Sequence, residues 1–112
     1  MPSIQQREVV TASFQGIGPH PAIVLSPEEA NYDWVICVMI TSKPINDEFT
    51  FALTDEMFNK GMIKPSQVRL HLVTGFPVES VVQDTRPQTM KLAAFKRLIA
   101  RINEVAFGMS AE

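Results

Sequence analysis

The apolar positions follow two periods along the chain. Up to about residue 83 they recur at strand spacing, in short runs separated by turn residues. Glu8 to Phe14 is rich in β-branched residues, and Ala22 to Ser26 is a short apolar run. Trp34 to Ser42 is dominated by Val, Ile and Met and predicts a strand buried on both faces. Phe49, Phe51 and Leu53 alternate with Thr50 and Ala52, and a short helical turn is expected from Asp55 to Lys60, with acids at its start and Gly61 as its stop. After Lys64-Pro65-Ser66 comes the clearest alternation. Val68, Leu70 and Leu72 are expected on one strand face and Gln67, Arg69 and His71 on the other. Residues 76 to 83 predict one more strand.

The period then lengthens. Leu92, Phe95, Leu98, Ile99, Ile102, Val105 and Ala106 recur at helical spacing, with Lys91, Lys96, Arg97, Arg101 and Glu104 on the other side. The pattern predicts one long amphipathic helix from Pro87 to Phe107, with Pro87 in its first turn and Gly108 as its C-terminal cap. Short strands followed by a single helix predict a mainly β fold, a small curled sheet or barrel whose open side the helix covers. Trp34, the phenylalanines, Met39, Met57 and Met62 are expected to pack in the core.

Composition sharpens this picture without redirecting it. With 112 residues, 46% hydrophobic and 20% charged, the chain is expected to form a single domain over residues 1–112. The longest apolar run, Trp34 to Ile40, is far short of the roughly 20 residues of a bilayer span, and Met1 to Gln6 lacks a signal-peptide pattern. The expectation is a soluble, cytoplasmic protein with no membrane partner. Cys37 is the one cysteine, which agrees with a reducing compartment. Charge is uneven. Residues 1–63 carry three Lys or Arg against eight acids, a balance of −5, while residues 64–112 carry seven against four, a balance of +3. Such asymmetry permits a polyanionic partner without requiring one.

Strong motifs are missing from the sequence: it has no phosphate-binding glycine loop, no metal-ligand spacing and no nucleophile elbow, so neither cofactor nor metal is expected. Gln15-Gly16-Ile17-Gly18-Pro19 precedes a strand and is expected to be a turn. What remains is a set of polar residues at strand ends: His20, Thr41, Ser42, Arg69 and His71.

Three segments, in order, resemble the PemK/MazF-like toxins, the ribonuclease components of type II toxin–antitoxin modules. They are His20-Pro21-Ala22-Ile23-Val24-Leu25-Ser26, then Ile40-Thr41-Ser42-Lys43, then Lys64-Pro65-Ser66-Gln67-Val68-Arg69-Leu70. The resemblance covers about residues 8 to 107. It implies an SH3-like barrel with a C-terminal helix, a homodimer, metal-independent cleavage of single-stranded RNA, and inhibition by a small antitoxin with an acidic tail. Thr41 matches the family's active-site threonine, and Arg69 an arginine that some members use catalytically. His20 stands where many members have arginine before proline, and His71 where some have aspartate.

Metal-free RNA cleavage uses the 2′-hydroxyl as nucleophile and needs a base, an acid for the leaving 5′-oxygen, and donors for charge developing on phosphorus. Histidine suits both proton roles near neutral pH. The expected catalytic set is therefore His20, Thr41, Arg69 and His71, with Ser42, Lys43 and Gln67 binding substrate. Two rival readings keep the fold and change the function. One is a catalytically degenerate binding module that dimerises and takes a protein or DNA partner, and the other is a gyrase-poisoning toxin.

Overall fold

The computed structural model describes residues 3–61 and 65–109; Met62 and Lys64, named above as a packing residue and the start of a turn motif, lie outside the described residues. Six strands, β1 (Val9–Phe14), β2 (Gly18–Val24), β3 (Trp34–Thr41), β4 (Thr50–Leu53), β5 (Ser66–Pro77) and β6 (Val82–Gln83), form one antiparallel sheet. Their spatial order is β4-β5-β3-β2-β1-β6. The β1–β2 hairpin turns at Gly16, whose φ of +80° suits a residue without Cβ, and Ile17 N donates to Phe14 O at 3.0 Å. β3 is central and apolar on both faces, as its sequence predicts. Val38 and Ile40 enter one buried cluster, and Val35, Cys37 and Met39 enter the other.

The helix starts later than its pattern suggests. α1 spans Leu92–Arg101 and runs on into a widened π turn over Ile102–Ala106. Residues 87–91 instead close the sheet into a barrel. Glu8 bridges Thr89 and Phe58 bridges Met90, with Val9 N donating to Gln88 O at 2.8 Å, Met90 N to Arg7 O at 2.9 Å and Lys91 N to Met57 O at 2.7 Å. Met90 is fully buried between the two sheet ends. These inter-strand bonds satisfy backbone groups that a helix would otherwise bond internally, so pairing overrides the local helical pattern. Beyond that point Ala94, Phe95, Leu98 and Ile102 seal the first cluster, while Leu92 is exposed. Gly108 ends the segment at φ +65°, and Met109 N reaches back to Asn103 O at 2.8 Å, the cap that the sequence predicts.

Two expectations about facing need correction. Val68 and Leu70 face the cluster under α1, but Leu72 packs against the opposite one. From Ile40 to Val38, β3 advances two residues while β5 advances five, from Val68 to Val73. A wide bulge at Arg69–Leu72 absorbs the difference and reverses the side-chain phase. Trp34 and Phe107, both expected in the core, are 56% and 60% exposed; Trp34 shares its face of β3 with the exposed Ile36, beyond Val38, where the first cluster ends.

Candidate active site

The polar residues of interest gather where β2, β3 and β5 end. β2 begins at Gly18 rather than Ala22, so His20 lies inside the strand, paired with Ala12. The flanking prolines are compatible with this. Val24 N donates to Glu8 O at 2.9 Å, so β1-facing groups recur at residues 22, 20 and 18, and the missing N–H groups of Pro19 and Pro21 fall on the other side. Half-buried His20 places Nδ1 3.2 Å from Ile40 O. A carbonyl only accepts, so Nδ1 carries the hydrogen, and the neutral ring keeps its Nε2 lone pair for another partner.

Extending the Ala22–Met39 register sets His20 opposite Thr41, and Thr41 is itself paired with Gln67. His20, Thr41 and Gln67 therefore form a row across three strands on one face. Thr41 is 3% exposed, and its Oγ1 accepts from Lys43 N at 3.2 Å, fixing the turn at the end of β3. Ser42 and Lys43 follow it on the surface. Gln67 is committed to the loop beyond: its Oε1 accepts from Ile45 N at 3.2 Å and Asn46 N at 3.4 Å, and its Nε2 donates to Asn46 Oδ1. It braces the loop rather than presenting a free amide.

Arg69 and His71 meet the same loop from β5. Arg69 Nη1 donates to Asp47 Oδ1 at 2.8 Å; the guanidinium side chain is only 12% exposed and the carboxylate 43%. That bond from Arg69 is the main reason the Asp47 carboxyl sits below the usual carboxylate range, helped by Phe49 N–H at 2.9 Å and by the nearby charges of Arg69 and His71. His71 is exposed, its ring tilted against Phe49 with centroids 5.0 Å apart, while Leu70 N holds Phe49 O at 2.8 Å. Arg69 and His71 thus share the neighbourhood of Asp47 and Phe49. His20 is held on the other side of the row, with Gln67 two strand spacings away, about 10 Å.

Sequence reasoning missed Asn46, Asp47 and Phe49. An acid in an exposed polar loop has no signature that separates it from its neighbours, and only the tertiary pairing of β4 with β5 brings it to Arg69. Cys37 is no nucleophile for this site: it is fully buried, and burial pushes its thiol up to about 12. Among the described residues no three His, Cys, Asp or Glu side chains group as a metal would require, and no helix is long and apolar enough to cross a membrane.

Comparison with known proteins places the chain in a family. MazF from Deinococcus radiodurans (crystal form I) superposes with a TM-score of 0.74 at 17% identity, over 97% of this chain and 100% of that one. The Mycobacterium tuberculosis toxin MazF-mt6 gives 0.69 at 20% identity, over 93% and 99%. A mycobacterial endoribonuclease in complex with its cognate antitoxin gives 0.69 at 15% identity, over all of both chains. No curated protein matches the chain closely. At these identities the likeness establishes the fold, a barrel capped by a C-terminal helix. The family assignment comes from sequence: residues 5–105 match the profile of the PemK-like, MazF-like toxins, and the chain belongs to that family of type II toxin–antitoxin toxins.

Proposed function

We propose that the protein is a metal-independent endoribonuclease that cleaves single-stranded RNA by attack of a 2′-hydroxyl on the adjacent phosphate. The observation that carries this reading is His20, its Nδ1–H bound to Ile40 O and its Nε2 left as a base, in one row with Thr41 and Gln67. Nε2 of His20 takes the 2′-hydroxyl proton as the 2′-oxygen bonds to phosphorus. The bond from phosphorus to the 5′-oxygen breaks, leaving a 2′,3′-cyclic phosphate, and the 5′-oxygen receives a proton from the His71 imidazolium. Arg69 binds the phosphate oxygens with its guanidinium fork after exchanging Asp47 for the substrate. Ser42 and Lys43 line the exposed edge and bind the flanking backbone, and Thr41 and Gln67 hold the floor and the loop.

The partners follow from the family. The proposed antitoxin carries an acidic tail whose carboxylates compete for Arg69 as Asp47 does, and the proposed working unit is a homodimer. The reading is tested with Arg69→Ala and His71→Ala proteins whose folding is verified by circular dichroism. Both are expected to lose most of the cleavage of a long RNA. Variants that cleave as well as the parent would remove these residues from the mechanism.

A further inference from the structure

We infer that Pro21 is a positioning residue that sets the tautomer of His20, by withholding the one backbone donor that would otherwise claim Ile40 O. The inference rests on the proposed role of His20 as base. Leu25 N donates to Ile36 O at 2.8 Å, in the same register as Ile23–Val38 and Ala22–Met39. Hydrogen-bonded pairs recur every second residue in an antiparallel ladder, so the next ones are Ile23 with Val38 and Pro21 with Ile40. At that last position the ladder calls for an N–H at residue 21, and proline has none. Ile40 is buried, and a buried carbonyl without a donor is costly. His20 Nδ1, at 3.2 Å, supplies the hydrogen.

The consequence reaches the chemistry. A free imidazole favours hydrogen on Nε2, the nitrogen that must be bare for His20 to accept the substrate's proton. The vacancy left by Pro21 turns the preference round, holding hydrogen on Nδ1 and the lone pair outward. Pro21 itself is exposed, on the opposite face from His20. Pro19 lacks an N–H too, but the same register carries its nitrogen past Thr41, the last residue of β3, where no ladder carbonyl waits.

The experiment is imidazole ¹⁵N NMR of the full chain at a pH where His20 is neutral, with the cleavage rate measured on the same samples. The parent and Pro19→Ala are expected to show hydrogen on Nδ1. Pro21→Ala restores the amide donor, and its majority tautomer is expected to move to Nε2–H, with kcat lowered about tenfold and KM unchanged. Pro21→Val gives the same donor on a strand-favouring residue and replaces the alanine variant if that one does not fold. A Pro21 variant still protonated on Nδ1 overturns the inference and leaves the cleavage reading intact, whereas a parent with hydrogen on Nε2 overturns the inference and removes Nε2 of His20 as the base as well. A shifted tautomer with unchanged cleavage supports the positioning by Pro21 and removes His20 as the base.

Discussion

The two sides of the site hold their polar groups by different means. On the β2–β3 side, backbone geometry does the work: His20 is fixed by a main-chain carbonyl, and Thr41 is spent on the Lys43 amide. On the β4–β5 side, loop side chains do it: Asp47 holds Arg69, Phe49 lies against His71, and Gln67 anchors Ile45 and Asn46. The first arrangement cannot be exchanged without moving strands. The second can, because a phosphate offers Arg69 the same paired oxygens that Asp47 does. Under the proposed mechanism, a site of this design fixes its base in advance and lets substrate compete for its cation.

Substitutions on each side should therefore fail differently. His20→Ala is expected to have the largest effect, a loss of about 10²- to 10⁴-fold in kcat with RNA affinity nearly kept; a loss confined to KM would mean His20 binds rather than reacts. Arg69→Ala comes next, lowering kcat/KM by roughly 10- to 100-fold, the value of a hydrogen bond to a charged group, with KM rising as well. Asp47→Asn should tighten RNA binding a few-fold by releasing Arg69, as measured by titration with a 2′-O-methyl RNA that cannot be cleaved. Weaker binding would instead make Asp47 a supporting partner of Arg69.

The pH dependence of that difference follows from the lowered carboxyl of Asp47. A depressed acid contributes above its unfolded pKa, about 3.9, and loses that contribution only as pH falls through the still lower folded value. The contrast between parent and Asp47→Asn should thus stay constant from about pH 5 to 8 and close only in stronger acid. The smallest effect is expected for Gln67→Ala, about 1 kcal/mol or less of stability. Hydrogen exchange at Asn46, whose amide loses its acceptor, should quicken, while Ile45, whose amide keeps Lys43 O at 2.9 Å, changes less and β3 is unchanged.

Much of the scaffold was legible because periodicity reports burial directly. The two-faced apolar run of β3, the alternation from Gln67 to Leu70 and the helical face from Phe95 to Ile102 all follow from which side chains leave water. Non-local pairing hid the rest. Pro87-Gln88-Thr89-Met90-Lys91 suits a helix start locally, yet Glu8 and Phe58, distant in sequence, claim it as the barrel's closing strand. The turn expected over Gln15 to Pro19 and the apolar run from Ala22 put the start of β2 too late, and only the ladder direction reveals that the donors missing from Pro19 and Pro21 face away from β1. Among the candidate site residues, motif order singles out His20, Thr41 and Arg69, whereas Asp47 acquires its meaning solely from the fold that sets it beside Arg69.

The most direct measurement is the chemistry of the new ends formed when the purified protein is incubated with a long single-stranded RNA under metal chelation. The account predicts discrete fragments ending in 2′,3′-cyclic phosphate, formed by the parent and lost with His20→Ala. Intact RNA together with no growth arrest on expression, or fragments ending in a free 3′-hydroxyl, would contradict it.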